Sequence, residues 1–249
     1  PLARHLGPEQ PLYGLQARGL AGDGEPLRSV EEMAELYIDE LLQVQPEGPY
    51  QIAGWSLGGL VAFEMARQLR EQGMSVALLV ILDGTAGMAG VTVEDDLDVL
   101  GDVITYNESF WRKDLGVTRD QLAALAPAAR LEHLLERLRA IDFFPPGAGA
   151  EHLARILAVY RANTEAAGAY EPGIYADRIT VLRAGGAPGG PGDGPLGLLG
   201  EPDLGWSRVS TEPVEVRTTP GTHFTMLTEP NVQELARQLA LLLARNSLG

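Results

Sequence analysis

Ser56 lies in Gly54-Trp55-Ser56-Leu57-Gly58, a G-x-S-x-G string. A serine hydroxyl is a poor nucleophile until a base takes its proton, so this residue calls for a histidine elsewhere in the chain. The string predicts a sharp strand-to-helix turn that lifts Oγ out of a sheet, with glycines two before and two after because a Cβ at either place would collide with the neighbouring strand or helix. Such a serine has strained backbone angles. It stands at the positive end of the following helix, where the Leu57 backbone N–H can hydrogen-bond an oxyanion forming on a carbonyl under attack. The alternative is a Gly-rich turn whose serine only caps the helix. The flanking residues favour the nucleophile, because Gln51 to Trp55 is a short apolar strand and Leu57 to Arg70 a helix of small and apolar residues.

The chain has four histidines. His5 belongs to a terminal Ala-Arg-His-Leu helix fragment, and His133 and His152 stand beside Glu132 and Glu151 in charged helices, where solvated surface residues are expected. His223 follows a strand (VEVR) and a Thr218-Thr219-Pro220-Gly221-Thr222 loop and precedes the last helix. That places it at the carboxyl end of a sheet, where α/β active sites are built, and makes it the expected base. A carboxylate must then hold the imidazole in the right tautomer and stabilise its charged form. Asp83 is the leading candidate, since it ends the strand after the one carrying Ser56; Asp-Gly is also a common turn pair. Asp203, in the loop after a later strand, is the stronger rival, and Asp177, which begins that strand, the weaker.

The elements that would position these groups are legible as periodicities. Residues 11–17 (PLYGLQA) read as a short strand, and Val30 to Val44 as an amphipathic helix. Gly73 is placed to end the helix that follows Ser56. Val76 to Leu82 (VALLVIL) is polar on neither face, the mark of a strand covered on both sides in a parallel sheet. Strand, helix, strand in this order is a βαβ unit. Residues 91–170 turn helical, at Val93 to Thr105, Asp120 to Leu125, Ala129 to Ala140 and Ala150 to Ala169, broken by Phe144-Pro145-Pro146-Gly147. This block predicts a helical lid inserted into the sheet domain. Asp177 to Leu182 and Val214 to Arg217 resume strand character around Ala184 to Gly200, a Gly- and Pro-rich stretch expected as a surface loop. Gly192-Asp193-Gly194-Pro195-Leu196-Gly197 spells a dinucleotide fingerprint, but Pro191 and Pro195 leave no room for the βαβ turn it needs. Asn231 to Arg245 is an amphipathic closing helix, and no internal repeat is present. The expectation is one α/β domain over residues 1–249, with a mostly parallel central sheet flanked by helices.

Composition narrows the chemistry. Nineteen Lys and Arg against 34 Asp and Glu give a net charge of −15, which repels phosphate backbones and argues against nucleic acid. The absence of cysteine excludes disulfides, thiolate catalysis and Cys-ligated zinc, and no metal site is expected. No run of 18 apolar residues exists, and PLARHLGPEQ has neither a basic n-region nor an apolar h-region. No membrane association and a cytoplasmic location are therefore expected. Asn107-Glu108-Ser109 spells a glycosylation sequon, which carries no argument without a secretory signal.

With these residues in hand, the chain resembles the type I thioesterase domains that end non-ribosomal peptide synthetases and some polyketide synthases, members of the α/β-hydrolase superfamily. The resemblance covers nearly the whole chain. It rests on Leu12-Tyr13-Gly14-Leu15-Gln16-Ala17-Arg18-Gly19, on Gly54-Trp55-Ser56-Leu57-Gly58-Gly59-Leu60-Val61-Ala62-Phe63-Glu64-Met65-Ala66, on the Leu82-Asp83 strand end, and on Gly221-Thr222-His223-Phe224-Thr225-Met226-Leu227. It implies that the acid follows the strand after the elbow, which favours Asp83 over Asp203. It implies a peptidyl or depsipeptidyl thioester presented on the phosphopantetheine arm of an upstream peptidyl carrier domain, with no cofactor bound to this domain. Ser56 would be acylated and the chain released by water as an acid, or by its own amine or hydroxyl as a macrocycle. The helical block corresponds to the family's lid, where Phe110, Trp111, Phe143, Phe144 and Tyr160 would form an apolar wall, with Trp55 beside the serine. Family members also carry a first strand and a His-Pro-x-Gly-like loop supplying a second oxyanion donor. That segment is expected to precede residue 1, so no second donor is named. The competing functions are a stand-alone ester hydrolase or editing thioesterase, and a catalytically silent docking domain.

Overall fold

The computed structural model describes residues 1–88, 90–93, 95–110, 113–141, 149–186 and 200–246, the side chains of residues 105–107, 109, 110, 128 and 246 excepted. Four strands, β1 (Tyr50–Trp55), β2 (Val76–Leu82), β3 (Thr180–Ala184) and β4 (Glu215–Thr219), form one parallel sheet in the order β1-β2-β3-β4. Around them run α1 (Leu2–Leu6), α2 (Val30–Val44), α3 (Leu57–Glu71), α4 (Asp96–Phe110), α5 (Arg119–Ala123), α6 (Pro127–Ala140), α7 (Ala150–Ala169) and α8 (Asn231–Asn246). Helix α3 crosses from β1 to β2, while α4 to α7 all lie between β2 and β3. Because every strand runs the same way, all four carboxyl ends reach one edge of the sheet.

The apolar spelling of β2 has the cause read from it. Leu79 and Ile81 join the core packed under α2 and α3, whereas Leu78, Val80 and Leu82 join a second core with α8 and α1 on the opposite face. Leu97, Leu100, Leu115, Leu134, Leu138 and Leu153 build a third apolar cluster among α4 to α7. Helix α4 starts three residues later than its periodicity predicts. There the Leu97 N–H donates to Asp95 Oδ1 at 3.2 Å, so an acid just outside the first turn satisfies a free amide and sets the boundary.

One expected element is not formed. Residues 11–17 make no ladder, and Leu12, Tyr13 and Leu15 stand exposed. A short apolar segment becomes a strand only beside another strand, and the described sheet offers none there. Most of the Gly- and Pro-rich stretch, including Gly192 to Gly197, and the Phe144-Pro145-Pro146-Gly147 break lie outside the described residues. Among those described, no helix is long and apolar enough to cross a membrane.

A buried polar cluster ties the helix behind Ser56 to the end of α7. Glu64 of α3 is 1% exposed and accepts hydrogen bonds from Arg67 Nε and Nη2 (2.8 and 2.7 Å), Gln68 Nε2 (2.8 Å) and the Tyr170 hydroxyl (2.8 Å). Burial alone would push this carboxyl up. The hydrogen bonds from Arg67, Gln68 and Tyr170 and the Arg67 charge outweigh it and hold the group below its ordinary 4.5. A lowered folded-state value stabilises the native state above the unfolded value, and that contribution fades as pH falls through the folded one. Tyr170→Phe should therefore destabilise the protein by about 2 kcal/mol in denaturant unfolding at neutral pH. The stability gap between wild type and Glu64→Gln should narrow as the solution is taken below 4.5; a gap that stays constant into acid would contradict this reading of the cluster.

Candidate active site

Ser56 joins β1 to α3 with φ 55 and ψ −126, and its N–H donates to the Leu82 carbonyl at 3.0 Å. A non-glycine residue at positive φ costs on the order of 1–3 kcal/mol and persists where its surroundings over-determine it. The turn is compressed to the limit at Gly54, where an added Cβ would lie 1.9 Å from the Gly58 carbonyl oxygen. Gly59 also packs tightly, its Cβ position 3.0 Å from Ile81 Cγ2. The collision expected at Gly58 is not there: a Cβ at that position would meet open space. Crossing backbone from the first turn of α3 fills the room beside Gly54, so Gly58 contributes its carbonyl to the crowding and needs no special space itself. As the first residue of α3, Leu57 has a backbone N–H that the helix leaves unused, beside Ser56.

Asp83 ends β2 at φ 51, with its N–H donating to the Leu182 carbonyl (3.0 Å) and its Oδ1 accepting from the Ala184 N–H (2.8 Å). These two bonds to β3 aim Oδ2 at His223, whose Nδ1 lies 2.9 Å away. The other ring nitrogen, Nε2, is 3.0 Å from Ser56 Oγ. Since a carboxylate accepts, the neutral imidazole carries its proton on Nδ1 and turns the Nε2 lone pair to the serine hydroxyl. The His223 loop leaves β4 through Gly221 at φ 94, where a Cβ would lie 2.6 Å from Asn231 Nδ2. Its backbone is held by Gly186 N–H donating to the Gly221 carbonyl (2.7 Å) and by Asn231 Nδ2 donating to the Thr225 carbonyl (3.1 Å). Trp55 steadies the same loop from β1. Its ring stacks on the imidazole at 5.0 Å and 26°, and its Nε1–H donates to the His223 carbonyl at 3.1 Å. Such a chain of acid, imidazole and hydroxyl can draw a proton off Oγ as it attacks a carbonyl carbon.

The other candidates are placed elsewhere. His5 bonds Glu229 at 2.6 Å, His133 lies on α6, and His152 Nδ1 is 3.4 Å from Arg155 on α7. Asp177 pairs with Arg70 ahead of β3, at the edge of the sheet opposite Ser56. Asp203 accepts from the Gly205 and Ser207 N–H groups (3.1 and 2.8 Å), closing the single 3-10 turn Trp206–Arg208. Burial would raise its carboxyl, but Ser207 and these amides hold it below the ordinary range. Sequence reasoning passed over Trp206, which is wholly buried against Phe63 (ring centroids 5.1 Å) and donates its indole N–H to the Gly84 carbonyl at 2.7 Å. A lone tryptophan in a Gly- and Pro-rich region has no periodicity to betray it.

Of the six residues expected to contact substrate, Trp55 adjoins Ser56, while Tyr160 directs its hydroxyl to Asp102 Oδ2 (2.7 Å) and ties α7 to α4. The side chain of Phe110 and the whole of Trp111, Phe143 and Phe144 lie outside the described residues. Among the described residues, no group of three or more His, Asp or Glu is placed to hold a metal ion.

Comparison with known proteins agrees with this architecture. Malpibaldin synthetase of Mortierella alpina is 52% identical over 85 residues, 34% of this chain and 2% of the synthetase. Chondramide synthase cmdD of Chondromyces crocatus is 28% identical over 246 residues, 96% of this chain and 6% of the synthase. The chain thus spans only a small part of the relatives it matches. Among solved structures, a holo four-domain nonribosomal peptide synthetase bound to AMP and glycine superposes with a TM-score of 0.84 at 29% identity, over 97% of this chain and 18% of that one. The fold is that of an α/β-hydrolase. The profile of the thioesterase domain family matches residues 1–241, and the chain belongs to that family.

Proposed function

We propose that this domain releases a finished peptidyl or depsipeptidyl chain from a carrier domain of a synthetase through an acyl-enzyme on Ser56, with His223 as base and Asp83 as its acid partner. The observation that carries the reading is the unbroken hydrogen-bonded line from Asp83 Oδ2 through the His223 ring to Ser56 Oγ, at 2.9 and 3.0 Å. The family match and the long synthetases that contain related segments support the substrate class.

In the first half-reaction Ser56 Oγ bonds to the thioester carbonyl carbon while His223 Nε2 takes its proton. Negative charge moves to the former carbonyl oxygen, where the Leu57 N–H at the start of α3 donates to it. Asp83 accepts the Nδ1–H of the imidazolium and so stabilises the charge that His223 has gained. Collapse of the tetrahedral centre breaks the C–S bond, and the proton on Nε2 leaves with the pantetheine sulfur as a thiol. An acyl ester on Ser56 remains. His223, neutral again, then removes a proton from the second nucleophile as that group attacks the acyl carbon. The C–Oγ ester bond breaks and the proton passes from Nε2 back to Ser56 Oγ, so that water gives a free acid and an amine or hydroxyl of the bound chain gives a ring. In this reading the helical block of residues 91–170 is a lid over the acyl chain, with Phe110, Trp111, Phe143, Phe144 and Tyr160 in its apolar wall. The whole domain, residues 1–249, works as one unit with that lid inserted. The acyl group arrives on the phosphopantetheine arm of a peptidyl carrier domain upstream in the same synthetase. Covalent tethering supplies the local concentration, so no charge attraction is needed from a chain of net charge −15.

Treatment with a fluorophosphonate probe followed by intact-mass measurement should show one adduct on the wild type and none on Ser56→Ala. An adduct that survives in Ser56→Ala, or none on the folded wild type, would sink the proposal. His223→Ala should lose acylation itself, read as the rate of adduct formation. Asp83→Asn should stay folded and lower turnover of a synthetic peptidyl thioester by about three to four orders of magnitude.

A further inference from the structure

Backbone strain at non-glycine positions marks the surroundings of the proposed site. Among the described residues, the non-glycine residues at positive φ are Ser56 (55), Asp83 (51) and Leu204 (56). The first two are the proposed nucleophile and acid. The third lies in the segment after β3, where the Leu204 carbonyl accepts the Ala86 N–H at 3.0 Å and Leu204 itself is 1% exposed. Gly205 follows at φ 88, and the two residues turn the chain so that Trp206 drives its indole beneath the Asp83-Gly84 turn.

The Asp83-Gly84 turn needs such a partner. On its β3 side, Asp83 is tethered through its N–H to Leu182 and through Oδ1 to Ala184. Beyond Asp83 the chain leaves the sheet, and the buried Gly84 carbonyl must find a donor or carry the full penalty of desolvation. The Trp206 Nε1–H supplies it at 2.7 Å. Gly84 also packs close to the nucleophile's backbone, since a Cβ there would lie 2.5 Å from the Ser56 carbonyl oxygen. The turn thus adjoins the Ser56 backbone and takes its hydrogen bond from the indole. Asp203, the rival acid, has its work here as well: its carboxylate closes the turn that presents Trp206.

We propose that Trp206 is a positioning residue for Asp83, acting through the Gly84 carbonyl to hold the carboxylate at the His223 ring; this rests on the proposed role of Asp83 as the acid of the site. The indole packs against Phe63 and donates its N–H to the backbone that carries the acid. Without the N–H, the strained Asp83 φ loses one of the restraints that over-determine it, and Oδ2 leaves its place by a fraction of an ångström.

The test is a double-mutant cycle with Trp206→Phe and Asp83→Asn, read as kcat and KM on a synthetic peptidyl thioester. Trp206→Phe should lower kcat about ten- to a hundredfold, the scale of a small misplacement in an active site, with KM unchanged. In the Asp83→Asn background the same substitution should cause no further loss, because the acid it positions is already gone. Phe63→Leu removes packing against the indole but keeps its N–H, and should lower stability while leaving kcat intact. Should Trp206→Phe fold poorly, benzothienylalanine at position 206 keeps the ring shape and deletes only the N–H, and should reproduce the kcat loss. An equal loss in both backgrounds, a matching kcat loss in Phe63→Leu, or no kcat loss in a folded protein lacking the N–H would overturn the inference and leave the role of Asp83 standing. Near-normal turnover by Asp83→Asn alone would remove that role and the inference together.

Discussion

Everything in the proposed site depends on one contact, the 3.0 Å approach of His223 Nε2 to Ser56 Oγ. The two groups are 167 residues apart in the chain and come from elements that do not touch in the sheet, β1 and the loop after β4. The parallel sheet, which delivers all its carboxyl ends to one edge, brings them together with the end of β2 between. The two sheet faces secure that edge, because β2 is buried under α2 and α3 on one side and under α8 and α1 on the other. A hydrogen bond of this kind contributes only about 1 kcal/mol to stability. Its geometry is therefore fixed by the large cores and not by the bond itself.

The residues nearest the chemistry sit in unfavourable conformations, and their neighbours compensate. Ser56, Asp83 and Leu204 hold positive φ, and each is restrained by backbone hydrogen bonds to another strand end or loop. At Gly54 and Gly84 backbone approaches backbone closely within the site: an added Cβ would lie 1.9 Å from the Gly58 carbonyl oxygen and 2.5 Å from the Ser56 carbonyl oxygen. Both contacts involve the elbow, the first its opening and the second its Ser56 carbonyl. The nucleophile turn and the acid turn are consequently one mechanical unit, and a change in either is felt by both. Trp55, stacked on the imidazole and bonded to its carbonyl, extends that unit to the His223 loop.

Much of this was legible in the sequence, for physical reasons that differ by residue. The elbow could be read because G-x-S-x-G between an apolar strand and a small-residue helix has few other uses, and β2 because a strand buried on both faces must be apolar throughout. His223 and Asp83 followed from their positions at strand ends, which the structure brings to the same edge. Residues 11–17 misled because a short apolar spelling says nothing of a pairing partner. Gly58 misled because close approach is a property of three-dimensional neighbours, and the crowded atom there is its own carbonyl rather than a Cβ position. Trp206 and the capping role of Asp203 were hidden since each acts by a single long-range or turn hydrogen bond, which leaves no periodic trace.

The proposed release passes an acyl group from a thioester sulfur to Ser56 Oγ. Mixing the protein with a synthetic peptidyl thioester, quenching in acid within the first turnover and mapping the modified peptide by tandem mass spectrometry tests it directly. An acyl ester on Ser56, formed by the wild type and absent from His223→Ala, is the expected result. Turnover with no covalent intermediate on the quench timescale, or an acyl group carried by a different residue, would contradict it.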